Sequence, residues 1–247
     1  MGEEKMSRTL IIMAAILAVS LIFSAFTASY LFFRSRNPRT GTISVVGSAK
    51  QTIKSDFAVW RCTYTVQTPT LPKAYEILKS NQKTVKDYLV SKGIAESDMS
   101  VLAAQTQTMY VRNYNGMDTN QIEGYRLCQS IEIRGKDVEK INKISKEATE
   151  LIDQGILMES QQPQFYYTKI ADLKIEMLAR ATKDAKERAE KIAQNSGAKV
   201  TGVISSNMGV FQIRALYSDE ISDYGINDTT SIDKEIMSVV NCEFRTK

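Results

Sequence analysis

The sequence predicts an α+β fold, a mainly antiparallel β-sheet with interspersed helices, preceded by one N-terminal transmembrane helix. Three observations carry this prediction. Residues 9–33 form an apolar run with no charge between Arg8 and Arg34. Residues 58–66 alternate: Ala58, Trp60, Cys62, Tyr64 and Val66 fall on one face, and Val59, Arg61, Thr63 and Thr65 on the other. Residues 170–195 follow the helical period instead, with Ile175, Leu178, Ala185, Ala189 and Ile192 on one side and alanine at every fourth position from Ala181 to Ala193.

The apolar run follows a short tail, residues 1–8. At about 1.5 Å per residue it is long enough to cross a hydrocarbon core of about 30 Å with some tilt. A cleavable signal peptide has a shorter apolar core and a small-residue cleavage site. Thr27-Ala28-Ser29 offers small residues, but Tyr30-Leu31-Phe32-Phe33 continues the apolar run past them, which predicts an uncleaved signal-anchor over 9–33. No cysteine lies in or just after the segment, so a lipoprotein is not indicated. Lys5 and Arg8 precede the span, and Arg34, Arg36 and Arg39 follow it within a linker, 34–40. That balance leans toward a cytoplasmic C-terminal domain, although large domains cross largely regardless of charge.

Residues 41–247 are long enough for one ordinary core, or for two small lobes sharing one. Hydrophobic residues at 43% and charged residues at 24% are globular proportions and argue against disorder. The net charge of +4 is interspersed, and much of the excess flanks the span, so nucleic acid is not an expected partner. Cys62, Cys128 and Cys242 are odd in number and lack CxxC spacing, which excludes a zinc or thioredoxin-type motif. One disulfide with a leftover thiol and three small buried hydrophobes are both open readings.

In chain order, residues 42–53 read as a strand, joined through Lys54-Ser55-Asp56 as a hairpin to the alternating strand that places Cys62 in the core. Pro69 and Pro72 open a helix with Ala74, Ile77, Leu78, Val85 and Leu89 on its apolar side, and Gly93 ends it. Residues 99–111 and 122–134 form a second pair around a polar loop, 112–121. Asp137 caps a helix running to about 152, with Val138, Ile141, Ile144 and Ala148 inward and Gly155 at its end. Residues 156–168 are strand-like, and Pro163 marks an edge or a bulge.

The helix of 170–195 stops before Gly197. Glu176 with Arg180, Asp184 with Arg188 and Glu187 with Lys191 support its solvent side, and the alanine row serves either ordinary packing or self-association. Residues 200–213 and 235–244 are the last strands, the latter turning Ile236, Ser238, Val240, Cys242 and Phe244 to one face. The acidic segment 216–233 between them reads as a mobile loop or a contact surface. Hairpins dominate this order, which argues against a doubly wound parallel fold.

Histidine is absent, which removes every Ser-His and Cys-His arrangement and the HExxH zinc site. There is no GxxxxGK[ST] loop and no GxGxxG turn. Asp118, Glu123, Asp219, Glu220, Asp223, Asp228 and Asp233 lack EF-hand spacing and read as solvated loop charge. No residue is therefore assigned a catalytic, cofactor-binding or metal role, and the chain reads as non-enzymatic. Tyr110, Arg112 and Tyr114 at a hairpin tip, with Tyr166 and Tyr167, are candidates for an aromatic partner surface. The alternative is an extracytoplasmic ligand-binding module using Tyr110, Tyr114 and the segment 216–233.

These features resemble the SIMPL-domain family, which includes the YggE-type bacterial periplasmic proteins. The resemblance spans nearly all of 41–244. It rests on Ile43-Ser44-Val45-Val46-Gly47-Ser48-Ala49 followed by Ser55-Asp56-Phe57-Ala58, on Ala74 and Asn81 before Lys92-Gly93-Ile94, on Gly124-Tyr125, and on Ala181-x-x-Asp184-Ala185-x-x-x-Ala189-x-x-x-Ala193 before Gly197. The family often has Gly at the position of Ser48 and Pro at that of Ser55, changes that leave a strand and a turn intact. The resemblance implies a SIMPL-like α+β domain facing the periplasm, a tendency to self-associate as a homo-oligomer, and a link to envelope or oxidative stress with an envelope protein partner rather than catalysis. It supplies no catalytic residues.

Overall fold

The computed structural model describes residues 2–36 and 41–247. Met1 of the expected tail and residues 37–40 of the expected linker, Arg39 among them, lie outside the described residues. The chain forms an α+β fold with antiparallel-dominated sheets, in two compact units. One comprises residues 48–183 and 208–240, the other residues 1–47, 184–207 and 241–247.

The larger unit is built around β2 (Phe57–Thr68). Its inward face, Ala58, Trp60, Cys62, Tyr64 and Val66, is buried as the alternation predicts. β5 (Asp118–Gly135) pairs antiparallel with the length of β2, from Ala58 opposite Gly135 to Thr68 opposite Tyr125. β6 (Leu157–Ser160) and β7 (Gln164–Tyr166) pair with its other edge, the break between them holding Pro163. Beyond β5 lie β3 (Met99–Val101) and β4 (Gln105–Arg112).

α2 (Leu71–Ser91) buries Ala74, Leu78, Val85 and Leu89 in the core cluster of this sheet. It ends where Gly93 takes φ +83° and Gly93 N–H donates to Val90 O, a left-handed cap that favours glycine. α3 (Val138–Glu147) starts at Asp137, whose carboxylate accepts Lys140 N–H at 3.1 Å. Its expected continuation to 152 is 3₁₀ helix over Ala148–Gln154.

The hairpin expected at Lys54-Ser55-Asp56 does not form. β1 (Thr42–Lys54) belongs to the other sheet. The reason is occupancy: β5 takes one edge of β2, and β6 with β7 takes the other. Ser55 and Asp56 instead donate their N–H groups to Ile232 O and Tyr166 O. The Asp56 carboxylate accepts Thr168 N–H and Oγ1–H, both at 2.7 Å. The polar loop 112–121 is also shorter than expected. Asp118 already belongs to β5, and Asn113 Oδ1 closes the turn by accepting the N–H groups of Asn115 and Met117.

The second sheet runs in the order β1–β11–β9–β10, with β8 also pairing with β11. Its strands are β8 (Val200–Met208), β9 (Gln212–Ala215), β10 (Ile226–Asn227) and β11 (Asp233–Thr246). The expected strand 200–213 is thus divided at Gly209. Within the larger unit, Ile53, Ile213 and Ile236 form a second apolar cluster with Leu173 and Met177 of α4 (Ile170–Asn195).

In the smaller unit Ala185, Ala189 and Ala193 are buried, as Ala181 is in the larger one, while Ile175 and Ile192 are exposed. The inward row is therefore Leu173, Met177, Ala181, Ala185, Ala189 and Ala193, and the two isoleucines expected on that face lie outside it. The alanine row is buried within the chain. Arg180 pairs with Glu176 and Arg188 with Asp184, with a further pair between Lys186 and Glu190. α1 (Gly2–Arg36) also belongs to this unit and extends past the predicted span at both ends.

Candidate functional site

Within α1, Ile16–Phe33 is the only stretch among the described residues long and apolar enough to cross a membrane, and none of it is buried in the protein. Three of its hydroxyls are satisfied locally. Ser20 and Ser24 donate to Leu17 O and Leu21 O, and Thr27 donates to Phe23 O and Ser24 O. That removes the cost of leaving a hydroxyl unpaired in hydrocarbon.

A cleft of the larger unit, about 860 Å³, lies between α3, the β6–β7 connection and the residues entering β11. Asn142, Ser145 and Lys146 line one side, Ser160, Gln161 and Phe165 another, and Thr230 to Asp233 a third. Its two inner hydroxyls are committed. Ser160 Oγ accepts from Trp60 Nε1 at 3.1 Å and donates to Ser145 O at 2.5 Å, while Ser145 Oγ donates to Asn142 O. Neither has a basic side chain as its hydrogen-bond partner.

Lys234, just beyond the cleft-lining residues, is buried, and its Nζ donates to Phe165 O at 2.6 Å and Asp228 O at 2.5 Å. Burial lowers its pKa, partly offset by Asp228. Asp228 was expected as solvated loop charge but is half-buried. Burial alone would raise its pKa; hydrogen bonds from Thr230 N–H and Oγ1–H, with Ser231 and the Lys234 charge, bring it below the usual value. Its Oδ2 is buried with no hydrogen-bond partner.

Residues 216–225 are tied to the sheet by two buried side chains of β9. Gln212 Nε2 donates to Ser222 O at 2.6 Å, and Arg214 donates to Glu220 O while pairing with Glu235 at 2.8 Å. Tyr217, Ile221 and Tyr224 stand exposed on this loop, with Tyr217 at φ 67°. Gln212 falls within the expected strand 200–213 and Arg214 just beyond it. The aromatic residues expected to form one surface are dispersed: Tyr110 and the exposed Tyr114 sit on the β4–β5 hairpin, Tyr166 on β7 at the opposite edge of the sheet. Tyr167 packs against the Ile53 cluster. Arg112 pairs with Asp118 across the hairpin.

All three cysteines are free; Cys62 and Cys242 are buried and Cys128 is half-buried. Burial pushes the Cys62 thiol up to about 12, against a weaker opposing hydrogen bond with Ile131 O. Burial also raises Tyr64, and a charge on Cys62 would add to that. At the surface, hydrogen bonds with Glu147 and then Glu150 raise Lys92. Among the described residues, no three of His, Cys, Asp and Glu are grouped so as to hold a metal ion.

β8 is exposed from Thr201 through Met208. It runs antiparallel to β11, with Lys199 and Lys247 exchanging N–H···O bonds at one end and Gly209 N–H donating to Val239 O at the other. Ser205 Oγ reaches Glu243 at 3.4 Å, and Ser206 Oγ contacts Cys242 Sγ at 3.5 Å.

No curated protein matches the chain. Residues 43–232, from the start of β1 to the residue before β11, match the profile of SIMPL, a protein family of unknown function (DUF541). That match takes in most of the sequence and the whole of the larger sheet, so the chain belongs to the SIMPL family.

Proposed function

We propose that this chain is a non-enzymatic, membrane-anchored protein of the cell envelope. In this reading α1 is an uncleaved signal-anchor and carries the SIMPL domain on the extracytoplasmic, periplasmic side. The domain works by associating with copies of itself and with an envelope protein, in a role linked to envelope or oxidative stress. The observation that carries the reading is Ile16–Phe33, a continuous apolar helix that no part of the fold covers. An apolar surface of that extent left to water would drive aggregation, and a bilayer is the solvent that suits it. The absence of histidine supports the non-catalytic part.

The test is topology. A reporter active only outside the cytoplasm, fused after Lys247, gives signal while the full-length chain stays in the membrane fraction. Signal from an inside-only reporter instead would withdraw the periplasmic placement.

A second reading, an extracytoplasmic ligand-binding module, is favoured by the cleft between Asn142 and Asp233 with its polar lining. A ligand bound only by the native state raises its melting temperature by mass action. Thermal-shift screening against polar envelope metabolites finds a stabiliser on this reading, and no shift across the panel counts against it.

A further inference from the structure

β8 is a sheet edge that the chain leaves unprotected. One side pairs with β11, and no other described strand pairs with the other side. The remaining edges are blunted. β10 has two residues; β6 and β7 are short and separated around Pro163; β4 carries Arg112 and two register shifts against β5; β1 carries Lys50 and Lys54. Short strands, charge, proline and bulges discourage edge-to-edge pairing. β8 has nine residues without a charge or a proline, and Val203 (57%), Ile204 (44%) and Met208 (50%) are exposed on it.

We propose that the occupant of this edge is β8 of a second copy, paired antiparallel about a two-fold axis at Ile204. The order of residues carries the choice. With Ile204 opposite itself, Val200 meets Met208, Gly202 meets Ser206 and Thr201 meets Asn207. Apolar side chains thus face apolar ones at the centre and both ends, Thr201 faces Asn207, Gly202 opposes Ser206 without a side chain of its own, and Val203 opposite Ser205 is mixed. No like charges are opposed, because the strand has none. Such a contact is isologous and closes on itself, so it yields a dimer rather than a fibre. It forms about eight to ten main-chain hydrogen bonds over about 30 Å.

One strand pair buries less than the roughly 1,200 Å² typical of stable association from free solution. Two chains held in one bilayer meet at a much higher effective concentration. The proposal rests on the reading of the chain as anchored and self-associating. It places that association on β8 rather than on the alanine row of α4, which is already buried.

The test uses the full-length chain in lipid vesicles, with energy transfer between copies labelled at the C-terminus. Wild type shows transfer; Val203→Lys with Ile204→Lys weakens it roughly tenfold or more, since like charges across an interface cost several kcal/mol. Val46→Lys, a comparably exposed change on β1, leaves it unchanged. Independently, Ile204→Cys gives a disulfide-linked dimer on mild oxidation, because directly opposed residues lie about 4.5–5.5 Å apart, within the span a disulfide bridges. Ser44→Cys does not.

Transfer that persists in the double lysine variant, with no Ile204→Cys dimer, overturns the β8 interface and leaves self-association standing. No transfer in wild type overturns both. Equal loss in Val46→Lys assigns the contact to β1 and overturns β8.

Discussion

Glu132 is a buried carboxylate with both oxygens engaged, Oε2 by Arg61 at 2.8 Å and Oε1 by Arg134 at 2.6 Å. The Arg61 hydrogen bond holds its pKa below the ordinary value against burial, with help from Arg134. A carboxylate whose folded pKa is depressed contributes stability that is present above its unfolded pKa and lost as pH falls through the folded one. Glu132→Gln therefore costs about 1–3 kcal/mol at neutral pH. Urea unfolding of the variant also shows less change than wild type as the pH drops below the unfolded carboxylate range. Cys62 makes the opposite case. Its thiol stays protonated, so a thiolate-selective reagent at mildly alkaline pH leaves it unlabelled in the folded protein and labels it after denaturation. The inward direction of Cys62 is legible in the alternation of its strand. The role of Glu132 is not, because its partners come from cross-strand and next-neighbour geometry rather than from any local pattern.

At the scale of elements, Gly124 in the Gly124-Tyr125 pair illustrates what a strand must leave out. A Cβ there would lie 2.7 Å from Thr68 O, a backbone atom that cannot turn aside. Gly124→Ala is expected to push β5 from the end of β2 and cost about 1–3 kcal/mol, read from urea unfolding. Helices and their ends are legible because capping and period are local signals: Gly93, Asp137 and Gly155 act where their chemistry predicts. Pairing is not local. Lys54-Ser55-Asp56 has turn chemistry, yet whether it closes a hairpin depends on which distant strands occupy the edges of β2. The faces of α4 show a finer limit, since Ile175 and Ile192 satisfy the helical period while the smaller alanines take the buried row.

For the molecule as a whole, the order of helices and strands and the apolar N-terminal segment are readable from the sequence. The division of the strands between two sheets is settled by long-range pairing. The candidate cleft was invisible for the same reason, since Ser145, Ser160 and Ile232 converge only through the fold. The apolar N-terminal helix makes its own prediction. After an alkaline wash the full-length chain pellets with membranes at its uncleaved mass, and a chain beginning at residue 41 is found in the supernatant. A shorter mass with a soluble product identifies the segment as a cleaved signal instead.

Trp60 is the only tryptophan of the chain, fully buried and hydrogen-bonded to Ser160. Fluorescence excited selectively in the indole therefore comes from a single site inside the larger sheet, shielded from collisional quenchers while that sheet is intact. Its red shift on denaturation times the loss of one unit's core alone. A ligand settling against Ser160 would perturb the same emission.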